Sequence, residues 1–199
     1  MKIYNVVEIL LPVLLLIIIA ILRFFETKWL YQNKPIGKKY AEWTLQVIGI
    51  SYGLIIAGTL TEYFVLQRKL DLLITIIAFI LMFLRVLLKI WSVKTLNEFW
   101  SPYIEIKKEH KLVIKGPYRY IRHPVYLGTI LDSIAIPLFL NSYFTLWFIS
   151  WIYIIIIFIR LNIEEKVLLS EFTDEYAVYK KNTGMLLPKI NIFKWRGKV

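Results

Sequence analysis

The chain has 199 residues, 58% of them hydrophobic, and a formal net charge of +11 at neutral pH. This hydrophobic fraction exceeds the usual range for soluble domains, so the sequence predicts an integral membrane protein. The absence of cysteine excludes disulfides and a cysteine nucleophile, and with two histidines we expect no bound metal. The basic residues lie between apolar runs, which favours membrane orientation and contact with membrane lipid over nucleic acid as the reason for the charge.

The first apolar segment, Val6 to Leu22, is interrupted only by Glu8, and Pro12 is a candidate bend. With its flanks it reaches the roughly 20 residues that a membrane span requires. A signal peptide would have a shorter apolar region followed by a small-residue cleavage site, so we interpret this segment as a retained anchor. We expect Arg23 to Glu42 to be a polar loop, with basic residues at Arg23, Lys28, Lys34, Lys38 and Lys39.

The second predicted span is Trp43 to Leu66. Gly49 and Gly53 form a GxxxG pattern, which is typical of close helix packing, within a chain or in a dimer. Glu62 lies near the end of this span, and we expect its side chain to extend to the membrane interface.

The third predicted span, Leu72 to Trp91, contains Arg85 and Lys89. An arginine near a helix end usually extends its charged group towards lipid headgroups. The alternative is that Arg85 binds an anionic substrate group.

Two shorter apolar segments, Leu127 to Leu140 and Tyr143 to Ile159, flank Asn141-Ser142 and predict a helical hairpin. Asp132 lies within the first arm, and a carboxylate inside a membrane is a functional candidate. A neighbouring hydroxyl such as that of Ser133, or a partner on another helix, could equally satisfy it.

After Arg160, apolar residues recur at three- and four-residue spacing, which predicts an amphipathic helix that ends at Thr183-Gly184. The sequence therefore predicts an all-α membrane protein of one domain, 1–199, with about five transmembrane helices (three spans plus the hairpin). Residues 1–99 form the N-terminal spans, and residues 100–199 form the half that begins with a polar, turn-rich stretch. The positive-inside rule places the basic loops in the cytoplasm and the N-terminus outside.

The stretch from Trp100 to Gly128 is polar, aromatic and rich in turns, and it holds both histidines. Arg122 can grip a carboxylate with two hydrogen bonds, and His123 can hydrogen-bond to one. Tyrosine rings can also contact a cation such as a sulfonium. An interfacial loop with an aromatic belt and an arginine lipid anchor is the alternative interpretation.

A second group of charges stands at the end of the last apolar segment, where Arg160 and Glu164 lie four residues apart and Glu165 follows. This spacing puts Arg160 and Glu164 on one helix face. The pair could clamp an anionic substrate group, or it could be an interfacial ion pair without function.

Together these two groups resemble the isoprenylcysteine carboxyl methyltransferase family, over roughly Trp100 to Lys189. The matching residues are His110-Lys111-Leu112-Val113, Gly116-x-Tyr118, Ile121-Arg122-His123-Pro124-x-Tyr126, Arg160, Glu164-Glu165, Glu171-Phe172, Asp174-Glu175-Tyr176, Tyr179, Thr183-Gly184 and Pro188.

The resemblance implies a membrane enzyme that binds S-adenosylmethionine at the cytoplasmic face, in a pocket between the 100–126 segment and the C-terminal helix. The cofactor-binding residues that it implies are His110, Lys111, Leu112, Val113, Gly116, Tyr118, Arg122, His123, Pro124, Tyr126 and Glu165. Within this set Glu165 is the candidate ligand for the cofactor's ammonium group. Arg160 and Glu164 match the catalytic pair, with Glu164 orienting Arg160.

The implied reaction is methyl transfer to a lipophilic or lipidated acceptor, in first place the C-terminal carboxylate of a prenylcysteine-like substrate. Related membrane methyltransferases act on phospholipid amines or small thiols, so these acceptors are the alternatives. A membrane transporter or interaction protein is the non-enzymatic alternative. The sequence leaves the oligomeric state open and favours a monomer.

Overall fold

A computed structural model describes residues 6–31 and 36–189, with side chains in the first helix from Val13 onward. Lys34 and the side chains of Glu8 and Pro12 lie outside this description. The described chain forms five α-helices and one antiparallel ribbon: α1 (Val6–Tyr31), β1 (Lys38–Tyr40), α2 (Trp43–Val65), α3 (Leu72–Leu96), β2 (Ile104–Ile106), α4 (Pro124–Phe139) and α5 (Ser150–Asn182). Short 3-10 turns at Asn97–Phe99 and Gly116–Arg119 and a π-helical turn at Thr145–Ile149 connect these elements.

Three helical stretches of the described chain are long and apolar enough to cross a membrane: Trp43–Val65, Leu72–Phe99 and Thr145–Asn182. The apolar helix α4 is shorter, with 16 residues. Large apolar side chains on the outer faces stay exposed, among them Phe83 at 63% and Phe148 at 66%, because lipid can cover them. The protein is therefore a mostly helical integral membrane protein, and a total of five spans stays a prediction.

The predicted polar loop from Arg23 to Glu42 is wrong in its first part, since α1 continues to Tyr31. Arg23 and Glu26 in this part face neighbouring helices, where each finds an opposite charge. Arg23 Nη2 lies 2.9 Å from Asp132 Oδ1, and Arg85 Nη1 lies 2.7 Å from Glu26 Oε2. These contacts make a helix more favourable than a solvated loop.

The later part of that predicted loop forms β1, which pairs with β2 so that Lys39 faces Glu105. The all-α prediction missed this small ribbon. Gly37 precedes it at a position where a Cβ atom would lie 2.1 Å from the carbonyl oxygen of Ile106. The ribbon marks the end of the bundle where α1 and α3 finish and α2 and α4 begin, which we call the ribbon end.

The expectation that Arg85 extends to lipid headgroups is also wrong. Arg85 is 6% exposed, and its Nε lies 2.8 Å from Asp132 Oδ2. Lys89, one turn further along α3, lies 3.3 Å from Glu26. Of the alternatives for Asp132, a partner on another helix is the one observed, because a buried charge is stable only when it is paired.

Glu62 does not extend to the interface either, but is 7% exposed. Its carboxylate accepts hydrogen bonds from the backbone N–H groups of Thr145 (2.7 Å) and Phe144 (3.1 Å), and from Arg68 (2.8 Å). The first N–H groups of a helix have no partner within it. Glu62 therefore caps the second arm of the hairpin from a different helix.

The GxxxG pattern does not pack helices within the described chain. A Cβ atom at Gly49 or Gly53 would meet nothing within 4 Å. Gly58 makes the close approach instead, because a Cβ atom there would lie 2.5 Å from Ile149 Cδ1. A dimer contact at Gly49 and Gly53 stays a prediction.

The predicted hairpin turn is anchored by Asn141 and Ser142, which donate hydrogen bonds to the backbone carbonyls of Lys69 and Thr59, each at 2.9 Å. Its second arm continues without a loop into the C-terminal helix, with one non-helical residue at Thr173 (φ 42°, ψ −115°). The helix stops at Asn182 and Thr183 is extended, as the sequence indicates. One long helix thus joins the membrane interior to the ribbon end.

Replacing Glu62 with glutamine should lower the free energy of unfolding by about 1–3 kcal/mol, because the buried cap loses its charge and Arg68 loses its partner. Unfolding in mixed detergent micelles measures this. Glu42→Gln is the matched control: its side chain is 58% exposed and lies 3.8 Å from Lys39, so we expect a change within about 0.5 kcal/mol. Equal losses in the two variants would contradict the assigned role.

Candidate functional site

The Arg122-His123-Pro124 segment is fixed against the chain that follows α5. The backbone N–H of Arg122 donates to the carbonyl of Gly184 (2.8 Å), and that of His123 donates to Met185 (3.0 Å). Gly184 has no room for a side chain, because a Cβ atom would lie 1.8 Å from the carbonyl oxygen of Leu187. Two motifs that are distant in the sequence therefore form one local unit.

Glu165 is the centre of the charges in this unit. Its carboxylate accepts hydrogen bonds from Arg122 Nε (2.8 Å) and Nη2 (2.6 Å), and it lies 2.7 Å from Lys180 Nζ and 3.3 Å from His123 Nε2. Glu165 is 3% exposed, and it does not line the cavity described below. Its oxygens position Arg122 and His123, and its contact with the cofactor's ammonium stays a prediction.

Arg160 of α5 lies at the ribbon end and is held by two other helices and a loop. Its Nε donates to the hydroxyl of Tyr126 (2.8 Å), Nη2 donates to the carbonyl of Pro102 (2.7 Å), and Nη1 donates to Thr44 Oγ1. Arg160 is 2% exposed. The guanidinium is thus fixed in position and desolvated before any substrate binds.

Glu164 acts on Arg160 through Tyr126 rather than directly. The Tyr126 hydroxyl donates to Glu164 Oε2 and accepts from Arg160. None of the ion pairs found in the described chain joins Arg160 to Glu164, although they are one helical turn apart. The direct pairing that the four-residue spacing suggests is therefore replaced by a hydrogen-bonded bridge from α4.

These side chains surround a cavity of about 830 Å³. Eleven of the thirteen site residues that the resemblance implies line this cavity: His110, Lys111, Leu112, Val113, Tyr118, Arg122, His123, Pro124, Tyr126, Arg160 and Glu164. Gly116 and Glu165 are not among the lining residues. Gly116 has φ +53°, and a Cβ atom would lie 2.6 Å from Thr95 Oγ1, so its place in the motif is explained by the turn.

His110 forms one aromatic wall of the cavity. Its ring stacks on Phe99 with centroids 4.7 Å apart and meets the edge of Phe172 at 5.6 Å. Its Nδ1 accepts the backbone N–H of Lys107 at 3.3 Å. Burial, followed by the nearby Lys107 charge, lowers the pKa of His110. The ring is therefore neutral at pH 7.

Several lining residues were not predicted as site residues. Thr44 and Pro102 carry no motif, and only their contact with Arg160 identifies them. Tyr176 lines the cavity, and within the described part of the chain its buried hydroxyl has no hydrogen-bond partner. In the sequence Tyr176 belongs to the matching Asp174-Glu175-Tyr176, which does not predict its unpaired hydroxyl.

Aromatic walls, the His110–Val113 segment and the unpaired Tyr176 hydroxyl fit a nucleoside-containing cofactor such as S-adenosylmethionine. The far wall of the same cavity is different: α1 and α2 line it with apolar side chains, among them Ala20, Phe24, Ile48 and Ile56. A polar end at the ribbon and an apolar end between spans thus belong to one cavity, with Arg160 between them.

Comparisons with known proteins agree with this arrangement. The isoprenylcysteine carboxyl methyltransferase (ICMT) family matches residues 75–170. The chain is 34% identical over 103 residues to the protein-S-isoprenylcysteine O-methyltransferase of Saccharomyces cerevisiae, a match that covers 50% of this chain and 42% of that protein. It is 35% identical over 82 residues to methanethiol S-methyltransferase 1 of Bradyrhizobium diazoefficiens, covering 41% of this chain and 26% of the relative.

The fold is similar to the solved structure of a eukaryotic intramembrane Ras methyltransferase, ICMT. The TM-score is 0.61 at 23% identity, and the match covers 76% of this chain and 54% of that one. The chain thus spans about half, or less, of the length of the proteins that it matches. The matched residues include Arg122, His123, Arg160 and Glu164, and they form the polar end of the cavity. The chain is therefore similar to the isoprenylcysteine carboxyl methyltransferase family over residues 75–170, just under half of its length.

Proposed function

We propose that this protein transfers a methyl group from S-adenosylmethionine to the carboxylate of a lipophilic, prenylcysteine-like acceptor. The observation that carries the proposal is the single cavity that runs from the motif residues at the ribbon end to the apolar walls of α1 and α2. A soluble cofactor and a lipid-like acceptor need such opposite surroundings. The proposal includes a cytoplasmic ribbon end, an external N-terminus, one domain and a monomer.

The cofactor is assigned to the polar end. His110, Leu112, Val113 and Tyr118 line a cleft that suits adenosine, and His123 would hold the methionine end. Glu164 faces this end with a side chain that is 24% exposed, and its Oε1 lies 3.8 Å from His123 Nδ1. When bound, S-adenosylmethionine supplies an electrophilic methyl group on a sulfonium. The carboxylate of Glu164 is therefore better placed than that of Glu165 to face the cofactor's positive charge.

The acceptor carboxylate is assigned to Arg160. A guanidinium has five N–H groups, and three hydrogen bonds join that of Arg160 to protein atoms in the described chain. The remaining N–H groups can hold a carboxylate by charge-assisted hydrogen bonds. An acceptor carboxylate is already ionised at neutral pH, so the protein needs no general base. Alignment and exclusion of water then supply the rate.

A small thiol is the second candidate acceptor, because the chain matches a methanethiol S-methyltransferase over 82 residues. Thiol methylation must release a proton, and Glu164, hydrogen-bonded to Tyr126, is the carboxylate that could accept it. The cavity of about 830 Å³ lies in the upper part of the range of roughly 300–1,000 Å³ for small-molecule sites. Its size favours a larger acceptor.

Calorimetric titration of the detergent-purified protein with S-adenosylmethionine should detect binding that His123→Ala weakens at least about tenfold, since that variant removes a polar contact at the cofactor end. Arg160→Ala should bind the cofactor like the parent, because Arg160 contacts the acceptor. Lys166→Ala, an exposed position on the same helix, is the control. A parent protein that does not bind S-adenosylmethionine would overturn the proposed function.

Tyr126→Phe should lower kcat for methylation of N-acetyl-S-farnesylcysteine about ten- to hundredfold, because the bridge between Arg160 and Glu164 is lost and the acceptor shifts. The dissociation constant of S-adenosylmethionine should stay unchanged. Tyr143→Phe removes a hydroxyl outside the cavity and serves as the control. If the parent methylates methanethiol and not the farnesylcysteine, the thiol alternative replaces the carboxylate.

The stability of the cofactor cleft should fall as the pH drops below about 6.5, the ordinary pKa of histidine. Because the pKa of His110 is lowered on folding, the unfolded chain takes up the proton first, and the folded state is penalised until the pH reaches the folded pKa. Lys107 disfavours the imidazolium, while Glu171 and Glu105 favour it. His110→Phe keeps the stacking and removes this contribution, so its unfolding free energy should fall less than the parent's between neutral pH and about pH 5. Parallel pH profiles would contradict the role of His110.

A further inference from the structure

The cavity contains a second polar site that the proposed reaction does not use. Arg23, Tyr52, Arg85, Lys89 and Asp132 line the same cavity, and the Glu26 carboxylate contacts Arg85 and Lys89. We call these six residues the deep cluster.

The deep cluster and Arg160 are separated by about the same distance along three helices. At 1.5 Å per helical residue, Asp132 lies about 9 Å beyond Tyr126 on α4, Tyr52 about 12 Å beyond Thr44 on α2, and Tyr153 about 10 Å before Arg160 on α5. Tyr126 and Thr44 both contact Arg160, and the ring of Tyr153 lies 6.4 Å from that of Tyr52. The two polar sites therefore form two levels roughly 10 Å apart.

The deep cluster has more positive than negative charge. Asp132 lies 2.9 Å from Arg23 and 2.8 Å from Arg85, while Glu26 lies 2.7 Å from Arg85 and 3.3 Å from Lys89. Three cations thus share two carboxylates, which leaves a net charge of +1 in this part of the described chain. Arg85 is near the middle of α3, where an unbalanced charge is unfavourable. An anion at this level would balance it.

Two hydrogen-bond donors in the deep cluster have no use within the described chain. Arg23 Nε and the Tyr52 hydroxyl are both buried, and neither has a hydrogen-bond partner among the described residues. The Tyr52 hydroxyl lies within hydrogen-bonding reach of the Arg23 guanidinium, so one acceptor group could bind both.

The wall between the two levels is open. Gly49 and Gly53 line the cavity on α2, and a Cβ atom at either would meet nothing within 4 Å. An extended chain can therefore run past both glycines from Arg160 to the deep cluster.

We propose that the deep cluster binds an anionic group at the far end of the methyl acceptor, so that the acceptor is an amphiphile with two acidic ends about 10 Å apart. Arg23 and Tyr52 hold the distal anion with the unused N–H and O–H groups. Arg85 and Lys89 add positive charge, and Asp132 and Glu26 fix their positions. This inference rests on the proposed function, because it takes Arg160 as the site of the reacting carboxylate.

Decanedioate and decanoate are matched probes, since they differ only in the second carboxylate. Calorimetric titration of the full chain in neutral detergent should give a dissociation constant for decanedioate at least about tenfold lower than for decanoate. Equal affinities would overturn the proposal.

Two variants locate the second carboxylate. Arg23→Met should abolish the preference for decanedioate, and Tyr52→Phe should reduce it while leaving unfolding near the parent's, because the lost hydroxyl has no partner in the described chain. Arg68→Met is the control, because Arg68 also pairs with a carboxylate but does not line this cavity. A preference that survives both Arg23→Met and Tyr52→Phe would place the anion elsewhere and overturn the assignment.

The same titrations separate this inference from the proposed function. A protein that prefers decanedioate and does not bind S-adenosylmethionine keeps the anion site and loses the methyltransferase proposal. A protein that binds S-adenosylmethionine without preferring decanedioate keeps the methyltransferase proposal and loses the anion site. If dioleoylphosphatidylglycerol in nanodiscs protects the parent against thermal unfolding through Arg23, and decanedioate does not bind, the cluster is a lipid site and the acceptor assignment is wrong.

Discussion

The ion pair between Arg122 and Glu165 joins the two parts of the sequence on which the proposed cofactor cleft depends. In a low-dielectric interior a carboxylate must be paired and hydrogen-bonded, or it is too costly to bury. Glu165 satisfies this condition because its carboxylate contacts Arg122, His123 and Lys180. The backbone bonds from Arg122 and His123 to Gly184 and Met185 then close the unit. The cleft is thus positioned by a residue that does not line it, and removal of Glu165 would leave an unpaired arginine at the base of the site.

Paired buried charges also position the rest of the cavity, but the two levels hold their cations differently. At the upper level the hydrogen bonds to Arg160 come from α2, α4 and the loop before β2, so the guanidinium is rigid and retains donors for one anion. At the lower level Arg23, Arg85 and Lys89 share the carboxylates of Asp132 and Glu26. Both levels contain more positive charge than their own carboxylates neutralise directly. A cavity with this pattern suits an anion at each level with an apolar chain between them.

The sequence predicted the elements that local patterns determine and missed those that depend on contacts between distant residues. The hairpin around Asn141-Ser142 and the end of the last helix follow from apolar length and turn residues, and the structure has both. The loop assigned to Arg23 and the interfacial positions assigned to Arg85 and Glu62 were wrong for one reason. Single-sequence rules treat a charge near a span as solvated. Here Arg23 has a partner 109 positions away and Arg85 one 59 positions away, and Glu62 accepts from backbone N–H groups 82 and 83 positions away. The motif residues around the cofactor cleft were found by resemblance, while Thr44, Pro102 and Tyr52 carry no sequence signal.

The two ends of the cavity are built from different parts of the chain. The family match spans residues 75–170 and therefore includes His123, Arg160 and Glu164, the part that the proposal assigns to the cofactor and the reacting group. Arg23, Thr44 and Tyr52, which reach Arg160 and the deep cluster from α1 and α2, lie outside that span. Residues of α1 and α2 can change without disturbing the proposed cofactor cleft, because Glu165 and Gly184 hold it together from the other half of the chain. In the proposed function the acceptor is selected by the first two helices, which lie outside the matched region.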